Sequence, residues 1–470
     1  MSTWLDTPTY AAQFNSSEDF NGSVPRPDDF PEIAEESRSY WIREHRIDLD
    51  HTQVDTHLPT NVDVVIIGSG ITGAVAALRI SEKKPELRTA LVEARGICTG
   101  ATGRNGGFIA RPECYHLVKT AKIIGTEDAI KLRKFGNINR DMMLDCIEKL
   151  GLSEDVDLRL NGNINVFETQ EEKDNALEDI KFAKENGFEP EGYYLDPEAT
   201  TKKFGLDAEL CRYGSALLER AGTFYPRKFV HNLLLTALER MPNLTIHPYT
   251  PVEAVRKVET PDVQYEIRTP RGTITSKAVF HATNAYAGNI CPPLKGSNGV
   301  FGAKAHLLAL SPNTPGNRDK QLKYGFGYAD FWHYLHQRPA HGSFLYGLAD
   351  AEILNDYDDS ITLPTDHPVR AKMAEMLERN FPDWFENLDL SKDVTHDWTG
   401  IQGLTMTGAS IVGRPSIESP GEFASVGHNG EGMGRCFASG TVASDAMLAY
   451  LDGSEYSPPD WFPHCYRRNI

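Results

Sequence analysis

The chain has 470 residues, of which 48 are basic and 66 acidic, so its formal net charge at pH 7 is −18. A charge of this sign opposes binding to nucleic acid, because attraction to phosphates supplies the sequence-independent part of that affinity. No run of about 18 apolar residues predicts a membrane span, and residues 1–19 lack the pattern of a secretory signal. The 7 cysteines are scattered and form no C-x-x-C pair, which favours reduced thiols. These features predict a cytoplasmic protein of two or three domains, with no membrane span and no nucleic-acid partner.

The first 58 residues differ in character from those that follow. Residues 1–58 are polar, acidic and contain several prolines, which predicts an extended arm with Ser39-Tyr40-Trp41 as its candidate anchor. From residue 61 the run Asn-Val-Asp-Val-Val-Ile-Ile predicts a strand that is buried on both faces. The alanine-rich stretch 71–81 predicts a helix, and the apolar run 89–93 predicts a second strand. Together they form a strand-helix-strand unit.

The rest of the chain mixes both kinds of element. The spacing of apolar residues predicts helices over 127–150, 171–186, 229–240 and 363–389. Strands are predicted over 162–169, 244–247, 263–268 and 272–280, and on either side of a bend at 338–342. From residue 426 the order of strand, glycine turn and helix appears again.

A nucleotide-binding motif follows the first predicted strand. Gly68-Ser69-Gly70-Ile71-Thr72-Gly73 has the spacing G-x-G-x-x-G and opens the predicted helix. Gly68 allows the tight turn, Gly70 lets a pyrophosphate approach the backbone, and Gly73 permits close helix-strand packing. The start of the helix offers amides and a positive dipole to the phosphates. Glu93 ends the second strand and can accept both hydroxyls of an adenosine ribose. The motif alone leaves FAD, NAD and smaller adenine compounds open.

The segment after Glu93 distinguishes among these ligands. An NAD-binding domain would continue with more strand-helix repeats, whereas this chain continues with Gly100-Ala-Thr-Gly-Arg-Asn-Gly-Gly107. Such a polar, glycine-rich loop does not contribute to a hydrophobic core, so we expect it to lie along a ligand.

These motifs resemble those of the FAD-dependent amine and amino-acid oxidoreductases, the superfamily of D-amino-acid oxidase, glycine oxidase, sarcosine oxidase and γ-glutamylputrescine oxidase. Three further segments are similar: Phe280-His-Ala-Thr-Asn-Ala-Tyr-Ala287, Trp398-Thr-Gly-Ile-Gln-Gly-Leu-Thr405 and Val426-Gly-His-Asn-Gly-Glu-Gly-Met433. The resemblance implies an α/β fold with a Rossmann-like FAD-binding domain, assembled from residues 59–160, 212–290 and 396–455. It also implies an α+β substrate domain with a mainly antiparallel sheet, residues 161–211 and 291–395, and a tail over 456–470.

The resemblance also implies a set of cofactor-binding residues. They are Gly68, Gly70, Ile71, Thr72, Gly73, Glu93, Ala94, Arg95, Thr102, Arg104, Asn105, Gly106, Gly107, Val252, Thr283, Gly430, Glu431, Gly432 and Met433. Residues 104–107 would lie beside the pyrophosphate and flavin, the backbone of Val252 would meet the adenine, and a helix starting at 430–433 would point at the flavin pyrimidine ring. Amides at that helix start would stabilise the negative charge of the reduced flavin.

The resemblance further implies non-covalent FAD. Gly400 stands where some members carry a linking cysteine, and Arg104 stands where others use a linking histidine. Cys98 and Cys436 are the nearby exceptions, and both also suit small buried apolar positions.

The segment Phe331-Trp-His-Tyr-Leu-His-Gln-Arg-Pro339 resembles the strand of the family that carries an aromatic side chain over the active site. Alternation places Trp332, Tyr334, His336 and Arg338 on one face, and these are the predicted catalytic residues. Packing of the sheet is the alternative role. Arg111 is a second candidate for gripping an anionic group of the substrate, and no metal site is predicted.

Departures from the family pattern bear on the substrate. Gln402 replaces an arginine that pairs with the substrate carboxylate in glycine and D-amino-acid oxidases, and an amide cannot supply that charged bidentate contact. Thr407, Ser410 and Glu431 also depart from the pattern near the flavin.

The sequence therefore predicts an FAD-dependent enzyme that oxidises a carbon-nitrogen bond of an amine or N-substituted amino acid to an imine. The hydride goes to flavin N5, and oxygen is a candidate final acceptor. A 2-hydroxy-acid or alcohol dehydrogenase with His336 as base, and a flavin-binding protein without turnover, are the alternatives. The oligomeric state stays open.

Overall fold

A computed structural model of the chain describes residues 39–47, 49, 57–110, 116–258, 264–313, 321–339, 342–348 and 367–470. Eighteen strands in this part form three sheets: β1 Val64–Ile67, β2 Thr89–Val92, β3 Asn163–Val166, β4 Tyr193–Leu195, β5 Ser215–Leu218, β6 Leu244–His247, β7 Ala254–Lys257, β8 Tyr265–Thr269, β9 Gly272–Ser276, β10 Ala278–His281, β11 Phe301–Leu310, β12 Gly325–Tyr328, β13 His333–Gln337, β14 Phe344–Leu348, β15 Val394–Leu404, β16 Ile411–Gly413, β17 Glu422–Val426 and β18 Arg467–Arg468. The α-helices are α1 Tyr40–Arg43, α2 Ile71–Lys83, α3 Leu117–Ile124, α4 Thr126–Lys149, α5 Gln170–Glu185, α6 Pro197–Phe204, α7 Pro226–Arg240, α8 Ala287–Ile290, α9 Pro368–Asn380 and α10 Gly432–Leu451.

The first sheet has seven strands in the order β18-β16-β17-β10-β1-β2-β6, and it is parallel from β17 to β6. Its central strands are short apolar runs buried on both faces, which is typical of parallel sheets. Helices α2, α7 and α10 pack on one face and the antiparallel strands β7-β8-β9 on the other. Ile67 pairs with both Val92 and His281, so the carboxyl ends of β1, β2 and β10 meet at one edge. Ligands of open α/β sheets bind at this edge.

The second sheet has eight strands in the order β15-β11-β14-β13-β12-β3-β5-β4. All neighbours are antiparallel except β12 and β3. One face packs against α9 through a core that includes Leu335 and Tyr346. The opposite face carries Leu307, Leu345 and Trp398, which pack with Tyr40 and Trp41 of the N-terminal segment, residues 39–47. This arrangement confirms the predicted fold class of a Rossmann-like part with a mainly antiparallel second sheet.

The structure also corrects several predicted elements. The predicted strand 272–280 is two strands in different sheets, because the amides of Lys277 and Ala278 both donate to the carbonyl of Asp63 and turn the chain from β9 into β10. The described part of the predicted helix 363–389 is helical only as far as Asn380, since Pro382 disfavours helical backbone just before it. The long strand β11 was not predicted.

The seven-stranded and eight-stranded sheets each draw on more than one of the predicted segments. Strands β5 and β15 belong to the eight-stranded sheet, although 215–218 and most of 394–404 fall in the segments predicted for the cofactor domain. Strand β18, from the predicted tail, pairs with β16 in the seven-stranded sheet. Of the predicted arm, only residues 39–47, 49, 57 and 58 lie within the described part. No helix in the described ranges is long and apolar enough to cross a membrane.

Candidate active site

A cavity of about 510 Å³ lies at the carboxyl edge of the parallel sheet and is also lined by residues of β11, β13 and β15. Every predicted cofactor residue except Gly73 lines it. Gly73 instead packs against the turn, because a Cβ there would lie 1.9 Å from the carbonyl oxygen of Gly68. The cavity therefore collects residues that lie far apart in sequence, between Gly68 and Met433.

The turn between β1 and α2 presents bare amides to the cavity. Gly68 has a φ of +103°, and a Cβ there would lie 2.7 Å from the carbonyl oxygen of Ala282. The first amide of α2, that of Ile71, donates to Thr102 Oγ1 at 3.1 Å. No residue of the described ranges accepts a hydrogen bond from the amides of Thr72 and Gly73. A helix start of this kind binds anions such as phosphates.

Glu93 is held by the same turn. Its Oε2 accepts from the amide and the hydroxyl of Ser69 at 2.9 and 2.7 Å, and its Oε1 accepts from the amide of Arg95 at 3.0 Å. A carboxylate has about four lone-pair sites, so roughly one remains for a ribose hydroxyl, rather than the two bonds that the sequence predicted. Ser69 and Arg95 fix the carboxylate at the edge of the sheet, where it lines the cavity.

Arg104 braces the glycine-rich loop against the second sheet. Its Nε donates to the carbonyl of Thr99 at 2.7 Å, and an Nη donates to that of Thr399 at 3.0 Å. The side chain is buried and ties the loop to β15. The guanidinium therefore joins the glycine-rich loop to the eight-stranded sheet at the cavity.

The start of α10 forms another wall. Glu431, which the sequence analysis noted as a departure from the family, pairs with Arg435 at 3.0 Å. An Nη of Arg435 also donates to the carbonyl of Gly408 at 3.1 Å. Asn139 donates from its side chain to the carbonyl of Met433 at 2.8 Å and fixes the first turn. These contacts hold the positive end of the helix towards the cavity.

Two further lining residues carry buried polar atoms. Thr283 Oγ1 and His428 Nε2 lack a hydrogen-bond partner among the described residues. Nδ1 of His428 is 3.1 Å from Ser410 Oγ, and burial lowers the pKa of this histidine to about 3, so the ring is neutral. His428 belongs to a motif quoted for the resemblance, but it was not among the predicted site residues.

Aromatic side chains line the other end of the cavity. Trp332 and Tyr334 are there as predicted, together with Phe331 and Phe108. The ring of Phe108 meets those of Phe331 and Tyr334 edge to face, at 6.0 and 6.1 Å. Alternation had placed Phe331 on the opposite face, but β13 begins only at His333, and a turn with φ of +61° at Phe331 aims this ring into the cavity.

The prediction that His336 and Arg338 line the cavity is not met. Both residues are buried behind the cavity wall, and each exposes 1% of its surface to solvent. His336 Nε2 donates to the carbonyl of Gly106 at 2.8 Å, and Arg338 pairs with Asp157 at 2.5 Å. Burial, aided by the nearby Arg338, lowers the pKa of His336 to about 3. The N-terminal segment covers this part of the strand, which the alternation pattern could not reveal.

A histidine-carboxylate pair lines the cavity instead. His116 Nε2 and Asp330 Oδ2 are 3.0 Å apart, and Oδ1 of Asp330 is buried without a hydrogen-bond partner among the described residues. Arg133 also lines the cavity, whereas Arg111 lies outside the described residues. Gln402 lines the cavity at the position where the resemblance implies an arginine. No sequence pattern indicated His116 or Asp330, because they are 214 residues apart and lie in a bend and a turn.

One group of metal-ligand side chains lies outside the cavity. His281, Cys291 and Glu422 bring their ligand atoms within 4.8 Å of one another, and His281 Nε2 is 2.8 Å from Glu422 Oε2. That hydrogen bond and the more distant Cys291 thiol occupy the carboxylate. The predicted absence of a metal site stays a prediction.

The cavity fits an adenine dinucleotide. Bare amides at a helix start suit two phosphates, Glu93 suits a ribose, and the positive start of α10 suits a ring system that gains negative charge. Thr283 Oγ1 offers a further polar contact. Cys436 also lines the cavity, but burial raises the pKa of its thiol to about 12, so it is protonated at neutral pH.

Comparison with known proteins agrees with this geometry. The chain is similar to a probable oxidoreductase, OrdL, of Haemophilus influenzae, at 22% identity over 88% of this chain and 89% of the relative. It is similar to gamma-glutamylputrescine oxidoreductase of Escherichia coli, at 28% identity over 49% of this chain and 51% of that protein. Its fold is similar to the crystal structure of glycine oxidase from Geobacillus kaustophilus, with a TM-score of 0.67, 19% identity and coverage of 88% and 100%. Residues 63–446 match the model of the family described as DAO, FAD dependent oxidoreductase. The chain therefore belongs to this family of FAD-dependent oxidoreductases.

Proposed function

We propose that this FAD-dependent oxidoreductase oxidises a carbon-nitrogen bond of an amine or N-substituted amino acid to an imine. The observation that carries the proposal is that Phe108, Phe331, Trp332 and Tyr334 line the same cavity as Asp330. Aromatic faces and a carboxylate both attract an ammonium group, since the ring quadrupole and the negative charge favour a cation.

The partners of Asp330 support this role. Its Oδ1 is buried without a partner in the described ranges, so an incoming N–H donor would satisfy a group that is otherwise costly to bury. Burial, with the charge of Asp330 contributing, raises the pKa of Glu172 to about 7. The neutral Gln402 on another wall does not provide the paired contact that an arginine gives to a carboxylate.

The residues of the chain position the substrate, and the redox chemistry comes from the cofactor. FAD, when bound, accepts a hydride at N5. The aromatic residues exclude water and orient the carbon that loses the hydride, while the His116–Asp330 pair accepts the proton that leaves the substrate nitrogen. Loss of one proton and one hydride converts the ammonium substrate into an iminium ion, and loss of a second proton gives the neutral imine.

The test is anaerobic mixing of the holoprotein with a panel of amines and hydroxy acids, followed by the visible absorption of the flavin. We expect amines to bleach the flavin and hydroxy acids to leave it oxidised. Asp330→Asn should raise the apparent Kd for an amine by roughly 10-fold or more, because a charge-assisted bond is lost. Glu168→Gln, at an exposed carboxylate outside the cavity wall, is the matched control and should change it less than twofold. A flavin that no amine reduces contradicts the proposal.

The His116–Asp330 pair favours a second candidate, the oxidation of a 2-hydroxy acid or alcohol. Removing a hydroxyl proton requires a base, and a histidine held by a carboxylate is such a base. His116 takes this role in place of the predicted His336, which is buried behind the wall. Bleaching by hydroxy acids that is lost in His116→Asn would establish this candidate. A flavin that no compound in either class reduces would favour the alternative without turnover.

A further inference from the structure

The glycine-rich loop is held by four side chains, one for each of four consecutive carbonyl groups. Ser39 Oγ donates to the carbonyl of Gly103 at 2.6 Å, and Trp398 Nε1 donates to that of Arg104 at 2.8 Å. Trp41 Nε1 donates to the carbonyl of Asn105 at 2.6 Å, and His336 Nε2 to that of Gly106 at 2.8 Å. All four donors are buried, so each bond is made away from competing water.

These bonds fix the direction in which the loop points its amides. A trans peptide unit is planar, and its C=O and N–H point in opposite directions. Because the carbonyls of Arg104 and Asn105 point at the two indoles, the amides of Asn105 and Gly106 point away from them. Both residues line the cavity, and no described residue accepts a hydrogen bond from either amide. The two amides are therefore presented to whatever fills the cavity.

Two of the four donors come from the N-terminal segment, which we define as residues 39–47. This segment lies before residue 63, where the match to the family begins. Trp41 is fully buried, and its ring fills the space beside Gly107, where a Cβ would lie 2.8 Å from Trp41 Cζ2. The aromatic ring from outside the matched region therefore leaves no space for a Cβ at 107, where the φ of +75° and the Phe224 carbonyl oxygen also favour glycine.

Trp41 is itself held firmly. The guanidinium of Arg338 lies 5.1 Å from its ring centre, and the ring of His336 stacks on it at 6.4 Å. Tyr225 Oη donates to the carbonyl of Trp41 at 3.0 Å. Arg227 links the segment to the body of the protein by donating to the carbonyl of His45 at 3.2 Å and to that of Ile97 at 2.7 Å. A side chain fixed on several sides can impose its orientation on the loop.

We propose that the N-terminal segment is a positioning element of the FAD site, in which Ser39 and Trp41 orient the peptide units of residues 103–106 so that the amides of Asn105 and Gly106 face the cofactor. The predicted catalytic residues His336 and Arg338 then belong to the same support, one through Gly106 and the other through Trp41. The proposal does not depend on which substrate bond is oxidised.

The test compares FAD affinity with the stability of the apoprotein. Trp41→Phe keeps an aromatic ring but removes the indole N–H, and we expect the Kd of the apoprotein for FAD to rise by roughly 3- to 10-fold, the value of one buried hydrogen bond. Ser39→Ala removes only the hydroxyl bond to Gly103 and should change the Kd in the same direction. Ile47→Ala is the matched control, because Ile47 is buried in the same segment but contacts the core of the parallel sheet.

Urea unfolding of each apoprotein separates positioning from general support. We expect Ile47→Ala to lower the stability of the apoprotein while the Kd of the folded protein stays within twofold of the original. A Trp41→Phe protein with lowered stability and unchanged Kd would overturn the proposal. If Trp41→Phe does not fold, Ser39→Ala decides, and an unchanged Kd in that variant would equally overturn it.

Discussion

The close contact between Gly73 and Gly68 allows a quantitative prediction about the turn between β1 and α2. In Gly73→Ala the new Cβ would lie 1.9 Å from the carbonyl oxygen of Gly68 and 3.0 Å from its carbonyl carbon. An ordinary contact begins near 3.4 Å, so the helix start or the turn must move by about 1.5 Å. Both colliding atoms belong to the backbone, so no side chain can rotate away to relieve the overlap.

The surroundings oppose such a movement. Helix α2 packs against α10 at Gly440, where a Cβ would already lie 3.3 Å from Val75 Cγ1. Displacing α2 from the turn therefore presses it into α10. Overpacking of this kind costs roughly 1 to 3 kcal/mol of unfolding free energy. The same displacement moves the bare amides of Thr72 and Gly73, so the Kd for FAD should rise by about 10-fold or more, as expected when a bond to a charged phosphate is lost.

Urea unfolding of the apoprotein and titration with FAD measure the two effects. Gly136→Ala is the control for the stability measurement, because Gly136 lies inside α4 and a Cβ there meets no atom within 4 Å. That variant should gain about 0.8 to 1 kcal/mol of unfolding free energy from helix propensity. If Gly73→Ala keeps both its stability and its FAD affinity, the proposed role of this close approach is refuted.

Other predictions address the cofactor and the buried histidine. Gly70→Val should prevent retention of FAD, since a branched side chain would block the approach of the pyrophosphate to the backbone, and purification with a full complement of FAD would disprove that assignment. Glu93→Gln should weaken FAD binding by roughly 1 to 3 kcal/mol, measured by titration of the apoprotein, because charge-assisted bonds are lost; an unchanged Kd would exclude Glu93 as a ribose ligand. The pKa of His336 is lowered from 6.5 to about 3, so below pH 6.5 the unfolded chain binds a proton that the folded protein does not. The unfolding free energy should therefore decrease as the pH is lowered, and this side chain contributes up to about 1.4 kcal/mol per pH unit. His336→Gln, which can still donate to Gly106, should show a shallower fall in urea unfolding between pH 6.5 and 4, and an equal slope would contradict the reasoning.

Local chemistry determined much of the cofactor part. The spacing of Gly68, Gly70 and Gly73 depends on contacts within a few residues, and it predicted a turn that the structure contains. Strands β1 and β2 are buried on both faces, so their continuous apolar character predicts them without knowledge of their neighbours. The resemblance added the residues at 252, 283 and 430–433, which line the same cavity.

The substrate end of the cavity depended on long-range contacts. The sequence predicted Tyr334 and Trp332 correctly as cavity residues because they lie on or next to a strand, where side chains alternate regularly between two faces. Phe331 was misplaced because the start of β13 is set by a turn, and His116 and Asp330 meet only when two distant turns pack together. The alternation of side chains tells which residues share a face of a strand, but it does not tell which other part of the chain packs on that face.

The sequence by itself determined a nucleotide-binding motif at a strand-helix turn, since the glycines, the carboxylate and the helix start are local features with a local physical cause. Only the tertiary structure decided where along one face of β13 the cavity ends, since Tyr334 lines the cavity whereas His336, on the same face, stacks on Trp41. The reason is that a residue far along the chain from its neighbours in space leaves no periodic signal, and the aromatic ring that fills the space beside Gly107 comes from such a residue.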